Sequence, residues 1–251
     1  MIRMPVDIEV VRNFWNKRPC NVRHSAKKLA SSEYFSEITN RRYKVEPHIK
    51  EFADFEKYEG KKVLEIGCGI GTDAEQFVKA GAQYTGIDLS DESVKLTKER
   101  LPGANVMVAN IEEWCSDQKY DLIYSFGVLH HTPNIHNALC NIRKMLSPGG
   151  ELKIMMYATN SWKNAMISMG LDQYEAQSGV PVANTYTMEQ IKTLLSDFNL
   201  TISKRHIFRY SIPEYKMGQY VFSFPWNYVP AWGYYILERL MGWHLLITAS
   251  R

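Results

Sequence analysis

Val63-Leu64-Glu65-Ile66-Gly67-Cys68-Gly69-Ile70-Gly71-Thr72-Asp73 is the stretch on which the reading of this chain turns. It opens as the short apolar run of a buried strand. Three glycines at alternate positions then break it, and a helical pattern resumes from Asp73 to Ala80. Glycine admits backbone angles that a Cβ forbids and lets a ligand come close to the main chain. Strand, glycine turn and helix in that order make a nucleotide-type site at the edge of a parallel sheet.

Spacing narrows the ligand. A dinucleotide fingerprint, G-x-G-x-x-G, would need glycine at position 72, where the chain has Thr72; the third glycine arrives one residue early, at Gly71. With Glu65 two residues before Gly67, the string E-x-G-x-G-x-G resembles motif I of class I S-adenosylmethionine (SAM)-dependent methyltransferases. The resemblance implies a loop that wraps the amino-acid end of SAM, built from Glu65, Gly67, Cys68, Gly69, Gly71, Thr72 and Asp73.

Further motifs follow in the order that this family implies. Tyr84 to Asp88 reads as a second strand ending in a carboxylate, with Leu89 beside it. Two carboxylate oxygens can accept from both ribose hydroxyls, and a strand end in this neighbourhood is where such a grip belongs. Ser90 suits the N-cap of the next helix better than Asp88 does. A third strand, Asn105 to Ala109, leads into Asn110-Ile111-Glu112. The family places an acidic side chain and a backbone N–H against adenine there; either Asn110 or Glu112 makes the side-chain contact here, with Ile111 supplying the N–H. After the fourth strand, Tyr120 to Ser125, carbonyls around Ser125, Phe126 and Gly127 would face the SAM ammonium. Leu129-His130-His131 then resembles the broad small-molecule group that includes quinone-biosynthesis C-methyltransferases. Leu146-Ser147-Pro148-Gly149-Gly150 is that group's turn before a fifth strand, Glu151 to Tyr157.

The expected fold is therefore α/β: a doubly wound, seven-stranded, mostly parallel sheet. Its last two strands, Thr201 to Ile212 and Trp243 to Ala249, would form the family's antiparallel hairpin. Residues 1–58 read as an N-terminal helical cap and 59–251 as the SAM-binding domain, with substrate-side insertions at 158–186 and 213–242. Thr72 with Glu75, and Thr187 with Gln190, stand in capping-box register, while Thr132-Pro133 reads as a helix start. Ile8, Val11, Phe14 and Trp15 recur at helical spacing, and Pro19 ends that helix. Trp15, Arg18, Tyr34, Tyr43, Tyr157 and Trp226 are candidates for the substrate pocket.

From Met217 to Leu237 there is no charge, but Pro225, Asn227, Pro230 and Gly233 interrupt any spanning helix. This aromatic-rich insertion before the last strand reads as a pocket wall, a homodimer surface, a peripheral membrane contact, or a cover for the sheet edge.

Bulk properties exclude several classes. A net charge of +3, from 30 basic and 27 acidic residues in 251, does not argue for nucleic acid as partner. Cys20, Cys68, Cys115 and Cys140 make no C-x-x-C pair, so no zinc site is expected and free thiols in a reducing compartment fit. Met1 to Asp7 lacks the apolar core of a signal peptide, which predicts a cytoplasmic protein.

Methyl transfer from a sulfonium is an in-line displacement in which positioning supplies most of the rate. A base helps when the acceptor is a hydroxyl or a protonated amine. His131 and His130 are the catalytic candidates, since imidazole titrates near neutrality. The L-H-H string is shared by relatives with different substrates, so at least one of the two should be structural. The resulting expectation is a SAM-dependent methyltransferase acting on an O or N atom of a small, largely apolar metabolite. The alternatives are a macromolecular acceptor (RNA or protein), a catalytically silent SAM-binding subunit, and a nicotinamide-dependent reductase, the last opposed by Thr72.

Overall fold

The computed structural model describes residues 6–174 and 179–250. Residues 1–5, part of the segment read above as lacking a signal peptide, lie outside that range, as do 175–178 of the first insertion and residue 251. The chain begins with three helices, α1 (Ile8–Lys17), α2 (Ser32–Val45) and α3 (His48–Ala53). There follow β1 (Lys62–Ile66), α4 (Thr72–Lys79), β2 (Gln83–Asp88), α5 (Asp91–Arg100), β3 (Asn105–Val108), β4 (Tyr120–Phe126), α6 (Ile135–Met145) and β5 (Leu146–Ala158). The chain closes with α7 (Trp162–Ser168), β6 (Thr185–Tyr186), α8 (Met188–Leu194), β7 (Asn199–Arg205), α9 (Ile212–Lys216), α10 (Ala231–Met241) and β8 (His244–Ser250).

The strands form one sheet in the order β3-β2-β1-β4-β5-β8-β7. β1 pairs in parallel with both β2 and β4, so the loops leaving β1 and β4 diverge and open a crevice at their carboxyl ends. β8 runs antiparallel between β5 and β7, which gives the expected C-terminal antiparallel pair. An additional two-residue strand, β6, pairs in parallel with Tyr157 and Ala158 of β5. Successive residues of a strand face opposite sides, and β1 shows it. Leu64 and Ile66 pack with Ile123, Ile154 and α6 on one face; Val63 packs with Phe77, Leu122 and Tyr124 on the other.

Local signals held in some places and lost in others. Thr187 and Gln190 form the capping box at α8, and the Ser90 side chain caps α5. Thr72 and Glu75 do not form one. Gly71, at φ +77°, is the N-cap of α4 and supplies no side chain. The Thr72 hydroxyl accepts from Arg100 Nη1 at 3.1 Å, and Glu75 pairs with Arg100 Nη2 at 2.7 Å. A buried guanidinium must be neutralised, and that demand overrides a cap worth about 1 kcal/mol. Thr132-Pro133 is likewise not a helix start: Leu129–His131 is one 3₁₀ turn, and Asn134 caps α6. β7 is shorter than expected, ending at Arg205 because His206 takes φ +71°.

In the 213–242 segment many apolar side chains point outward: Phe224 is 82% exposed, Tyr228 77% and Trp232 71%. Among the described residues, no helix is long and apolar enough to cross a membrane.

Candidate active site

The glycine loop is stitched across the end of β2. Gly67 and Cys68 donate their N–H groups to the Ile87 carbonyl at 2.7 and 3.1 Å. Gly67 has φ +79°, and a Cβ there would sit 2.2 Å from Val128 Cγ2. The loops after β1 and β4 can meet this closely only at glycine. Asp88 anchors the arrangement: its Oδ2 accepts from Gly69 N at 2.9 Å and its Oδ1 from Ser90 N at 2.8 Å. Burial nevertheless raises its pKa, because these N–H donors offset only part of the lost hydration. Gly69, at φ +56°, has nothing within 4 Å of where a Cβ would be.

Gly69 opens onto a cavity of about 150 Å³ that runs along the crevice. Glu65, Gly67, Cys68, Gly69, Thr72, Asp73, Asp88, Leu89, Asn110, Ile111, Phe126 and Gly127 all line it. Three expected cofactor residues do not. Gly71 is turned towards Thr97 and Arg100 of α5. Ser125 is fully buried and donates to the Ile66 carbonyl at 3.1 Å. Glu112 accepts from Asn134 N at 3.0 Å, which ties it to the α6 cap and leaves Asn110 as the side chain on the cavity wall.

Beneath the loop lies a buried polar network. Glu65 accepts from the Tyr84 hydroxyl at 2.6 Å, and burial, then the Asp73 charge, pushes its pKa up to about 8. Asp73 accepts from Arg42 Nη2 at 2.8 Å and Nε at 3.2 Å, from Tyr43 at 2.9 Å and from Tyr124 at 3.0 Å. Tyr43 lines neither cavity; its hydroxyl is committed to Asp73, and burial drives its pKa far upward.

A second cavity, of about 530 Å³, shares Trp15, Arg42, Phe126, Gly127 and His131 with the first. Its walls include Arg18, Arg23, Arg41, Tyr157, Tyr174 and Tyr215. Lys163 is balanced by Asp172 at 2.9 Å and Arg42 by Asp73, while Arg41 lies over the Tyr215 ring at 4.6 Å. Among the described residues, Glu46 is the one other acidic side chain on the walls, so the described lining is net positive.

Of the expected pocket residues, Trp15, Arg18 and Tyr157 line these cavities, and Tyr34 and Trp226 do not. Tyr34 is buried among Phe35, Ile38, Ile70 and Leu96, and its hydroxyl donates to the Val22 carbonyl at 2.9 Å. Trp226 packs edge-on against Tyr234 at 6.1 Å in the outer segment. Sequence reasoning missed Arg42, which touches both cavities; its only signal was a position next to Tyr43 on a half-buried helix.

Geometry also separates the two histidines. His131 lines both cavities, and its Nδ1 is 2.6 Å from the Val182 carbonyl. A carbonyl only accepts, so Nδ1 carries the proton and Nε2 keeps its lone pair. Burial pushes the His131 pKa down to about 4, keeping the ring neutral at physiological pH. His130 is fully buried, with its ring 3.7 Å from that of Tyr157, and lines neither cavity.

Residues 38–204 match a family model described as a methyltransferase domain. The trans-aconitate 2-methyltransferase of Rhodopseudomonas palustris strain BisA53 is 34% identical over 98 residues, 38% of this chain and 38% of that protein. The ubiquinone biosynthesis O-methyltransferase of Salmonella typhimurium is 29% identical over 116 residues, 43% of this chain and 48% of the relative. The chain thus matches less than half the length of these curated relatives. Among solved structures, magnesium protoporphyrin IX methyltransferase from Synechocystis with bound SAH aligns over 98% of this chain and 100% of that one. The TM-score is 0.62 at 14% identity, a likeness of fold.

Proposed function

Since the chain belongs to the methyltransferase-domain family, we propose that it is a class I member that uses SAM to methylate an oxygen or nitrogen of a small molecule held in the second cavity. The observation that carries this reading is the shared wall: Phe126, Gly127 and His131 border both cavities, so a donor in one and an acceptor in the other would be neighbours. Bound SAM supplies an electrophilic methyl group on a sulfonium. The protein's part is to hold and orient. In this reading the glycine loop and Glu65 receive the amino-acid end, Asp88 the ribose, and Asn110 with Ile111 the adenine.

Arg18, Arg23 and Arg41 among Tyr157, Tyr174 and Tyr215 support an acceptor with an apolar or aromatic body and an acidic group. That refines the largely apolar acceptor expected from sequence. Residues 1–58 then act as the cap over it, and 158–186 with 213–242 as acceptor-side insertions. The exposed rings of Phe224, Tyr228 and Trp232 support a contact role for 213–242, against a second copy or a membrane surface. The four free cysteines fit a cytoplasmic setting.

Calorimetric titration tests the cofactor assignment. SAM should bind and NADPH should not; the reverse result overturns the reading. Burial and the Asp73 charge push Glu65 towards its protonated form, and a ligand cation in this cavity favours its ionised form. SAM binding at pH 7 should therefore release a proton, seen as an enthalpy that changes with the buffer's ionisation heat.

His131 is the group placed to take a proton from the acceptor, through Nε2. His131→Phe should lower kcat by roughly 100-fold or more, the usual worth of a positioned base, a larger effect than on SAM affinity, although His131 also borders the cofactor cavity. Its lowered pKa sets the pH dependence. The neutral, active form persists down to about pH 4, so no loss of kcat/KM centred near 6.5 should arise from this residue. A pH–rate profile with an acid limb at 6.5 that vanishes in His131→Phe contradicts this.

A further inference from the structure

Ionisable side chains from remote parts of the chain meet against the wall of the second cavity. Glu46 is the C-cap residue of α2, His48 opens α3, His206 follows β7 and His244 opens β8. All three histidines are buried, and Glu46 and His206 border the cavity. His48 Nε2 lies 3.0 Å from His244 Nδ1, and Glu46 Oε1 lies 3.8 Å from that same Nδ1. One ligand atom from each of Glu46, His48 and His244 falls within 4.8 Å of the other two. The His206 ring stacks on His244 at 4.6 Å and 23°. Its left-handed backbone is held by an N–H donated to Glu238 Oε1 at 2.8 Å.

We propose that Glu46, His48 and His244 form a binding site for a divalent first-row metal ion, zinc best matching the donor set. Two imidazoles and one carboxylate with a vacant fourth position are the ligands of an open zinc site. With metal–ligand bonds of about 2.0–2.2 Å, tetrahedral ligand atoms stand roughly 3.3 Å apart. The observed 3.0 and 3.8 Å bracket that edge. A hydrogen-bonded histidine pair is the competing explanation. One shared proton satisfies the His48–His244 contact, while the Glu46 carboxylate, within the field of Arg41 and Arg42, stands 3.8 Å from the same nitrogen, beyond hydrogen-bond range of it. A divalent cation satisfies all three groups at once.

Glu46 and the neighbouring His206 line the second cavity, so an oxygen or nitrogen of an acceptor held there would be the nearest candidate for a remaining ligand. Phe126 packs on both His48 and His244, at 6.1 and 5.5 Å, and also lines the cofactor crevice, so the site stands one ring from it. This role in methyl transfer rests on the function proposed above; the binding of metal does not. No short spacing betrays the site, since His244 lies at the far end of the chain from Glu46-Pro47-His48.

The test uses the 251-residue chain, stripped with a chelator and then dialysed against micromolar Zn²⁺ or Co²⁺. Metal content, the cobalt absorption spectrum and the melting temperature are read on the wild type and on Glu46→Gln and His48→Gln. The wild type should hold about one metal ion per chain, show a tetrahedral cobalt band and melt higher when loaded. Each variant should bind more weakly by at least the roughly 10–100-fold that removing an outer-shell partner of a metal costs. SAM titration of the metal-free Glu46→Gln chain should match the metal-free wild type, showing that the variant is folded. A wild type that retains less than about a tenth of an equivalent, or variants that bind metal as the wild type does, overturns the proposal. Failure of the wild type to bind SAM counts against the proposed function alone.

Discussion

Asp88→Ala is expected to weaken SAM binding by more than about 100-fold. A hydrogen bond to a charged group contributes about 1.5–3 kcal/mol, and this carboxylate is proposed to accept from two ribose hydroxyls. The same oxygens already hold Gly69 N and Ser90 N, so alanine also removes one tether of the glycine loop, leaving the Gly67 and Cys68 bonds to the Ile87 carbonyl. Asp88→Asn separates the two contributions. The amide keeps the shape and one acceptor but turns an NH₂ towards either Gly69 N or Ser90 N, a donor facing a donor. It should therefore bind nearly as badly as alanine does. Urea unfolding of either variant should show a smaller change, because the native state already disfavours this buried charge. Wild-type affinity in Asp88→Ala would end the ribose assignment.

Arg42→Ala should cost about 3–5 kcal/mol of stability, the usual consequence of leaving one partner of a buried ion pair uncompensated. The Asp73 side chain is 3% exposed and would keep only the Tyr43 and Tyr124 hydroxyls. Asp73→Asn should cost less, since its carbonyl still accepts while the guanidinium, on the cavity side, keeps some access to water. The double replacement Arg42→Met with Asp73→Leu should recover part of the loss, because apolar side chains of similar volume tolerate such a site better than a lone charge does. Urea denaturation of the three variants measures this. Additive losses would show that the pair is not coupled.

The parts of the fold that short-range rules govern were legible. Val63, Leu64 and Ile66 are apolar because β1 is covered on both faces, and glycine recurs at 67, 69 and 71 because all three positions have positive φ. Asp88 was visible as a carboxylate at a strand end. What escaped was decided by partners distant in the chain. Arg100 took Thr72 and Glu75 for its own neutralisation, and no pattern within the helix announces a competitor from α5. Tyr34 and Trp226 match a pocket by residue type alone, but packing sets Tyr34 into the cluster with Phe35, Ile38, Ile70 and Leu96 and puts Trp226, in a turn, against Tyr234. Glu46, His48 and His244 carry no spacing signal because the sheet's strand order, not the sequence, brings β8 beside the start of α3.

The helix carrying Arg42 is gripped from two directions. On one side Asp73 of α4 holds it; on the other Arg41 bonds to the Tyr215 hydroxyl and Lys44 lies 4.1 Å from the Tyr220 ring, while Arg205 faces Glu51 of the next helix, α3, at 3.9 Å. Helices α2 and α3 are thus buckled to the C-terminal part of the chain across a single seam. Deleting the final fifty or so residues would strip one flank of α2 as surely as deleting the first fifty would strip the C-terminal strands of theirs, so a shortened chain should come loose at the same place from whichever end it is trimmed.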